Sequence, residues 1–374
     1  VVAMLHERIE RFEADARRIL RAASIFGLEF TKAGLQALLD DPARSLSSLD
    51  AWLETLVKRE VIVRAERSRF NRDETFTFRH DIVHESIYAT LTDDDRTRGH
   101  LLAARWLESM NERDAAVLGL HFERGGDRES AADAFVRASE QAYKRMDFRM
   151  ALELGERSIA NQAAGGILGR VRCVQAAVAL ASRTMDDTER YGSEAFDLIP
   201  AGTVHWFHTA TVMVTLAAFG KPHLLGGVVA RVIEAGVPDV SELGMAPVRA
   251  WALCANMLYM AGQYPLATEF DGRIERCAEA AIAKESVTAA YVHFAHYTRA
   301  SYCAGDPEYA LEEARKAMAI LEQAHDEILP WLCIETAKLA GLIGDFELAE
   351  ELLVRAITMA GNENLWAAGL ARHR

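Results

Sequence analysis

A short phrase recurs along this chain and limits what it can fold into. A Gly stands five residues ahead of an Ala at Gly126/Ala131, Gly262/Ala267, Gly305/Ala310 and Gly344/Ala349; Met146/Ala151 is a further copy with Met in the Gly place. In four copies Asp follows that first residue (Asp127, Asp147, Asp306, Asp345). An apolar residue then comes four positions after the Ala and a small one seven after, as in Ala131, Phe135, Ala138 and in Ala349, Leu353, Ala356. Each part has a physical role. Gly accepts the left-handed backbone that ends one helix. Asp caps the next helix by accepting from its free amides. The Ala lets two antiparallel helices approach, and the larger residue one turn on fills the groove beside it. Trp251 and Phe294, sixteen residues ahead of their Ala, and Leu118, Gly119 and Phe122 ahead of Ala131 anchor the preceding helices. Such a chain stacks helical hairpins. From residue 114 onward the apolar period is helical and no strand is evident. The phrase fades between 163 and 245, where paired helices still read at 167–182, 187–199, 203–219 and 222–235.

The first hundred residues have a different grammar. Apolar residues at i, i+3, i+4 predict helices over 14–27, 31–41 and 47–60, the last capped by Ser47 or Ser48. The β-branched Val61-Ile62-Val63 and the alternating Thr75-Phe76-Thr77-Phe78 then predict a two-stranded hairpin around a polar loop of about ten residues. Helices resume over 81–90 and 94–110, with Thr92 or Asp93 as N-cap. Three helices and a hairpin make a winged helix-turn-helix module. The expected fold is mainly α. The winged-helix module occupies 1–92, linking helices and first repeats 93–162, and a degenerate right-handed α-solenoid 163–374.

Charge and cysteine usage narrow the function. Lys and Arg number 42 against 55 Asp and Glu, a net charge of −13, which disfavours general nucleic-acid binding and anionic membrane surfaces. The five cysteines (173, 254, 277, 303, 333) form no CxxC pair and suit a reducing, cytoplasmic setting. The most apolar stretch, Thr203 to Gly220, carries His205, His208 and four Thr, and reads as a buried helix rather than a membrane span. The chain starts without Met and stops without an evident cap, so we expect a piece of a larger protein.

Two resemblances follow from these residues. The Gly/Asp/Ala phrase, with its anchors, resembles tetratricopeptide repeats, at spacings of 43 and 39 residues (Gly262 to Gly305 to Gly344) against the usual ~34. The stretch from Ala16 through Arg17-Arg18-Ile19-Leu20-Arg21-Ala22-Ala23-Ser24-Ile25-Phe26 to Gly27 resembles the opening helix of the winged-helix domain in STAND-type signalling ATPases. Phe76-Thr77-Phe78-Arg79-His80-Asp81-Ile82-Val83-His84-Glu85-Ser86-Ile87-Tyr88 is similar to the end of that domain. In bacteria such segments sit between an ATPase module and a tetratricopeptide-like arm, in large transcriptional regulators and some Ser/Thr kinases. The resemblance implies an upstream module that binds ATP or ADP and no cofactor in this segment. Arg79-His80-Asp81 resembles the Met-His-Asp signature of the NB-ARC relatives. That likeness implies that His80 contacts a nucleotide phosphate in the parent protein while Asp81 steadies the turn. Otherwise His80 packs or caps where the strand enters the next helix.

Other motifs carry less. His80 and His84 mimic a zincin pair with Asp81 in the Glu place, and His205 and His208 share a helix face; neither has a third ligand in sequence, so no metal site is expected. Gly165-Gly166 and Gly226-Gly227 lack the Lys and Ser/Thr of a phosphate loop, and no nucleophile elbow is present, so no catalytic residue is expected. Residues 58–72 carry six Lys and Arg against two Glu, including Arg64, Arg67, Arg69 and Arg72. They form a candidate basic wing and support an alternative role as a DNA-binding transcriptional regulator. Asp50 and Glu54 on the would-be recognition helix favour instead a surface facing the ATPase module. The expected role is a non-catalytic sensor and interaction arm that binds a protein partner or small effector. Trp206, Trp251, Tyr259, Tyr291, Tyr297 and Trp331 are candidate groove anchors, each with solenoid core as the competing role.

Overall fold

The computed structural model describes residues 12–39, 49–65, 73–237, 246–283, 287–324, 326 and 328–360. Its contacts divide the chain into two compact units that meet in sequence at residues 174 and 175.

The first unit opens with helix α1 (Ala14–Phe26), strand β1 (Glu29–Thr31), helices α2 (Lys32–Leu39) and α3 (Leu49–Lys58), and strands β2 (Ile62–Arg64) and β3 (Thr75–Phe78). The strands form one antiparallel sheet in the order β1-β3-β2, with Phe30 opposite Phe76 and Ile62 opposite Phe78. The sequence pattern predicts only the two-stranded hairpin. The extra strand, β1, is three residues long and runs straight into α2, too short for any alternation to register. That abrupt junction is capped from two sides. Thr31 Oγ1 accepts from the Gly34 amide at 3.1 Å, and the Asp73 carboxylate accepts from the Ala33 amide at 3.2 Å. Ile19, Leu20, Leu35, Leu56, Ile62, Phe76 and Ile87 close the core almost completely. Phe30 lies between Phe76 (5.9 Å) and Phe78 (5.4 Å). Ser47 and Ser48, the expected caps of α3, lie outside the described residues.

Helices then follow without interruption: α4 (Asp81–Tyr88), α5 (Asp93–Ser109), α6 (Ala115–Arg124), α7 (Arg128–Lys144), α8 (Phe148–Ala160) and α9 (Gly165–Ala181). Thr92 caps α5, accepting from the Asp95 amide at 3.1 Å, and three aspartates in its first turn face the positive end of the helix dipole. Phe26 of α1 meets Trp106 of α5 edge-on at 5.5 Å. The sheet-bearing module and the first helical hairpin therefore share apolar packing.

The second unit contains α10 (Met185–Leu198), α11 (Val204–Phe219), α12 (Leu225–Glu234), α13 (Ala246–Met260), α14 (Tyr264–Ala283), α15 (Val287–Arg299), α16 (Pro307–Ala324), α17 (Leu329–Leu342) and α18 (Phe346–Ala360), with a π turn over Ala300–Ala304. Consecutive helices pair, and α13 also packs on both α11 and α15. That is the layering of a tetratricopeptide-like solenoid. Helix α11 is buried nearly all round, and Thr209, Thr211 and Thr215 return their hydroxyls to carbonyls one turn back. Its apolarity is thus that of an internal helix. No described helix is long and apolar enough to cross a membrane.

The repeated phrase does in the structure what its chemistry dictates. Gly126, Gly262, Gly305 and Gly344 have φ of 77°, 71°, 62° and 87°, and Met146 takes the same left-handed place at 61°. Asp127, Asp147, Asp306 and Asp345 each accept from the amide three residues on, at 3.0–3.1 Å. Ala131, Ala151, Ala267 and Ala310 are wholly buried at the helix contacts.

Candidate functional site

His80 and Asp81 sit where β3 gives way to α4, and both are exposed. His80 occupies the N-cap position with an extended backbone, yet its ring makes no capping hydrogen bond. Arg79 beside it pairs with Glu60 at 3.1 Å. The next histidine turns inward: His84 Nε2 lies 3.0 Å from the Ser24 carbonyl of α1, and its ring stacks on Tyr88.

From Tyr88 a buried polar chain leads away from the sheet module. Tyr88 Oη is 2.8 Å from His100 Nε2, and His100 Nδ1 is 3.0 Å from His121 Nδ1. The two histidines are 1% and 7% exposed. Burial pushes His100 down to about 3, helped by His121 and the nearby Arg124 and Arg96. Burial and Arg124 push His121 down to about 4. Both rings are therefore neutral near pH 7, and each shared contact places one N–H or O–H against one lone pair. The chain connects α4, α5 and α6. The histidines stand 21 residues apart, so no local pattern announces their pairing.

The basic wing is only partly visible. Arg67, Arg69 and Arg72 lie outside the described residues. Arg64 pairs with both Glu54 of α3 and Glu74, the latter at 2.7 Å, and lies over the Phe76 ring. Its positive charge is matched within the module, so it is not the free basic surface the sequence offered.

The six candidate groove anchors are likewise corrected. Trp206, Trp251, Tyr259, Tyr291, Tyr297 and Trp331 are all buried. Trp206 packs against Phe196 and Phe207, and Phe207 in turn against Trp251. Burial among the helices leaves these rings no open face for a partner.

The second unit also carries a polar cluster outside the residues that the sequence motifs single out. Among the described residues, one group of three His, Cys, Asp or Glu donors converges closely enough to share an ion: His293 and His296 of α15 with Glu313 of α16. Glu313 Oε2 is 2.7 Å from His293 Nδ1 and 3.1 Å from His296 Nδ1, and Oε1 accepts from Lys316 at 2.8 Å. Burial pushes the Glu313 carboxyl up, but the hydrogen bonds from Lys316 and His293 outweigh it and hold the group below its ordinary range. Glu275 of α14 comes within 3.2 Å of His296 Nε2 and binds Arg299 at 3.1 Å. One turn before Glu275, buried Asp271 accepts from Tyr259 Oη, and burial raises its carboxyl. The signal available in sequence is His293-x2-His296, two imidazoles on one helix face at the same spacing as His205/His208. Neither His205/His208 nor His80/His84 belongs to the converging group.

Several solved structures share the fold. A STAND protein (signal transduction ATPase with numerous domains) with a tetratricopeptide repeat sensor, from Pyrococcus horikoshii, matches with a TM-score of 0.57 at 14% identity, over 99% of this chain and 54% of that one. The present chain thus spans about half the length of that protein. Aspartyl phosphate phosphatase F from Bacillus subtilis matches with a TM-score of 0.51 at 14% identity, over 96% of this chain and 95% of its own. A Rap protein complexed with competence and sporulation factor matches with a TM-score of 0.48 at 11% identity, over 100% and 99%. No family model and no curated protein matches the chain. The first two of these likenesses, at 14% identity, carry the helical-repeat fold alone.

Proposed function

We propose that this chain is the non-catalytic sensor and protein-interaction arm of a larger STAND-type signalling ATPase, with its N-terminal module acting as a winged helix that passes nucleotide state to the solenoid. The observation that carries the proposal is the unbroken path from α4 into the first hairpin. His80 stands exposed at one end of α4, and Tyr88 at the other end enters the buried His100–His121 pair. A helix so placed moves its far end when its near end is pulled, because packed polar pairs have few alternative arrangements. The order helix, strand, two helices, two strands supports the winged-helix assignment. The likeness to a STAND protein with a tetratricopeptide sensor supports the parent class. All five cysteines are thiols, which fits a cytoplasmic setting. The partner is a protein, a peptide or a small effector held by the helical array.

The test uses the longer protein with its nucleotide-binding module. His80→Ala is expected to weaken ADP retention and raise basal output. Unchanged ADP affinity would refute the nucleotide-sensing role of His80. A DNA-binding role predicts instead a salt-sensitive electrophoretic shift that is lost when Arg64, Arg67 and Arg69 are replaced together.

A further inference from the structure

We propose that His293, His296 and Glu313 form a binding site for a divalent transition-metal ion, Zn²⁺ foremost, with Glu275 as the residue that orients His296. The donors come from two adjacent helices, and no two of their ligand atoms lie more than 4.8 Å apart. Both Nδ1 atoms face the same carboxylate oxygen, at 2.7 and 3.1 Å. A tetrahedral ion with bonds of about 2.0–2.1 Å holds its ligands about 3.3 Å apart. Admitting the ion therefore asks each donor to withdraw by a few tenths of an ångström, within the reach of a side-chain rotation.

The surroundings have the chemistry of a supporting shell. Metal at His296 Nδ1 leaves the proton on Nε2, which faces Glu275 Oε1 at 3.2 Å. That contact is close but not aligned as a hydrogen bond, so Nε2 is a buried nitrogen without a hydrogen-bond acceptor. A slight turn of the ring, of the kind coordination at Nδ1 imposes, completes the carboxylate–imidazole–metal arrangement. Glu275 is itself held by Arg299 at 3.1 Å, and Lys316 holds the second oxygen of Glu313. The donor set of two imidazoles and one carboxylate selects Zn²⁺, Co²⁺, Ni²⁺ or Cu²⁺ over Mg²⁺ and Ca²⁺, which take oxygen ligands. Three protein ligands leave one tetrahedral position for water or a donor from a bound partner. The ion would pin α15 to α16, and through Glu275 to α14.

The experiment titrates the full 374-residue chain, stripped by chelator dialysis, with Zn²⁺ by calorimetry and with Co²⁺ by visible absorption. The expected result is one ion per chain and the absorption of four-coordinate Co²⁺. The paired substitution His293→Ala with His296→Ala should weaken Zn²⁺ binding at least 100-fold, and Glu275→Gln about 10-fold, the low end of the effect of a supporting carboxylate. Circular dichroism checks that each variant folds. If the paired variant unfolds, Glu275→Gln decides, because it keeps both imidazoles and Glu313 and replaces one half-exposed carboxylate. Substoichiometric binding by the unaltered chain overturns the proposal. So does undiminished binding in the folded paired variant, or in Glu275→Gln where that variant decides.

Discussion

Gly119 offers the sharpest test of how the helical hairpins are built. It lies in α6 facing α7, and a Cβ placed on it would stand 2.7 Å from both Cδ1 and Cε1 of Phe135 and 3.0 Å from Cγ. Ordinary carbon contacts begin near 3.5 Å, so Gly119→Ala asks the ring to retreat by about 0.8 Å. The ring has little room: Phe135 is fully buried, and the Arg157 guanidinium lies 4.7 Å over its face, held in turn by Glu123. Overpacking of this kind costs about 1–3 kcal/mol, while Gly→Ala in a helix returns up to ~1 kcal/mol of propensity. The net expectation is a loss of about 1 kcal/mol, larger for Gly119→Val. Gly272 in α14 is the control, since nothing lies within 4 Å of its added Cβ. Gly272→Ala should stabilise by about 0.5–1 kcal/mol. Urea titrations of each variant, read by far-ultraviolet circular dichroism, give the two signs. Adding Phe135→Leu to Gly119→Ala should recover part of the loss, a coupling that separates a clash from a general weakness. Gly119→Ala stabilising as much as Gly272→Ala, with no coupling to Phe135, would refute the close-approach account.

Three further outcomes follow from single features. Asp147→Ala removes the cap of α8, whose Oδ1 accepts from the Met150 amide at 3.0 Å, and should cost about 1 kcal/mol in the same urea assay. His100 and His121 have folded values of about 3 and about 4 against 6.5 when exposed, so the unfolded chain binds more protons below pH 6.5 and stability is lost as pH falls. Each should contribute a loss of about 2 kcal/mol between pH 7 and 5, and His121→Gln should flatten that slope in denaturation curves. Cys303 is exposed, whereas Cys173, Cys254, Cys277 and Cys333 are buried, and burial pushes Cys254 up to about 12 and Cys333 up to about 11. A chromogenic disulfide reagent should therefore titrate one thiol rapidly in the native chain and five in denaturant.

The array was legible because its signal is local. A left-handed residue, a capping Asp and a small Ala within six positions declare a helix–turn–helix junction whatever surrounds it, and Met146 shows that the backbone geometry persists when Gly is absent. The sheet was half legible: β3 alternates visibly, but Glu29-Phe30-Thr31 becomes a strand only because β3 offers it a partner 46 residues away, Phe30 facing Phe76. The candidate sites were the least legible. His80 was marked by its place between strand and helix. His100 and His121, and the His293–Glu313 group, are assembled by helix packing, and spacing along one chain carries no record of which faces meet. The aromatic anchors failed for the same reason in reverse. Trp251 and Tyr291 are large and stand out in sequence, but neighbouring helices bury the faces that a partner would need.

Hydrogen exchange on Tyr88→Phe tests most directly whether the N-terminal module and the first hairpin form one coupled element. Removing the hydroxyl leaves His100 Nε2 buried without its 2.8 Å partner, a penalty of about 1–3 kcal/mol. Amides in α5 and α6, residues 93–124, should then exchange about 5- to 150-fold faster, while those of 246–360 keep their wild-type rates. Faster exchange confined to 81–92, with α6 unaffected, would contradict the account.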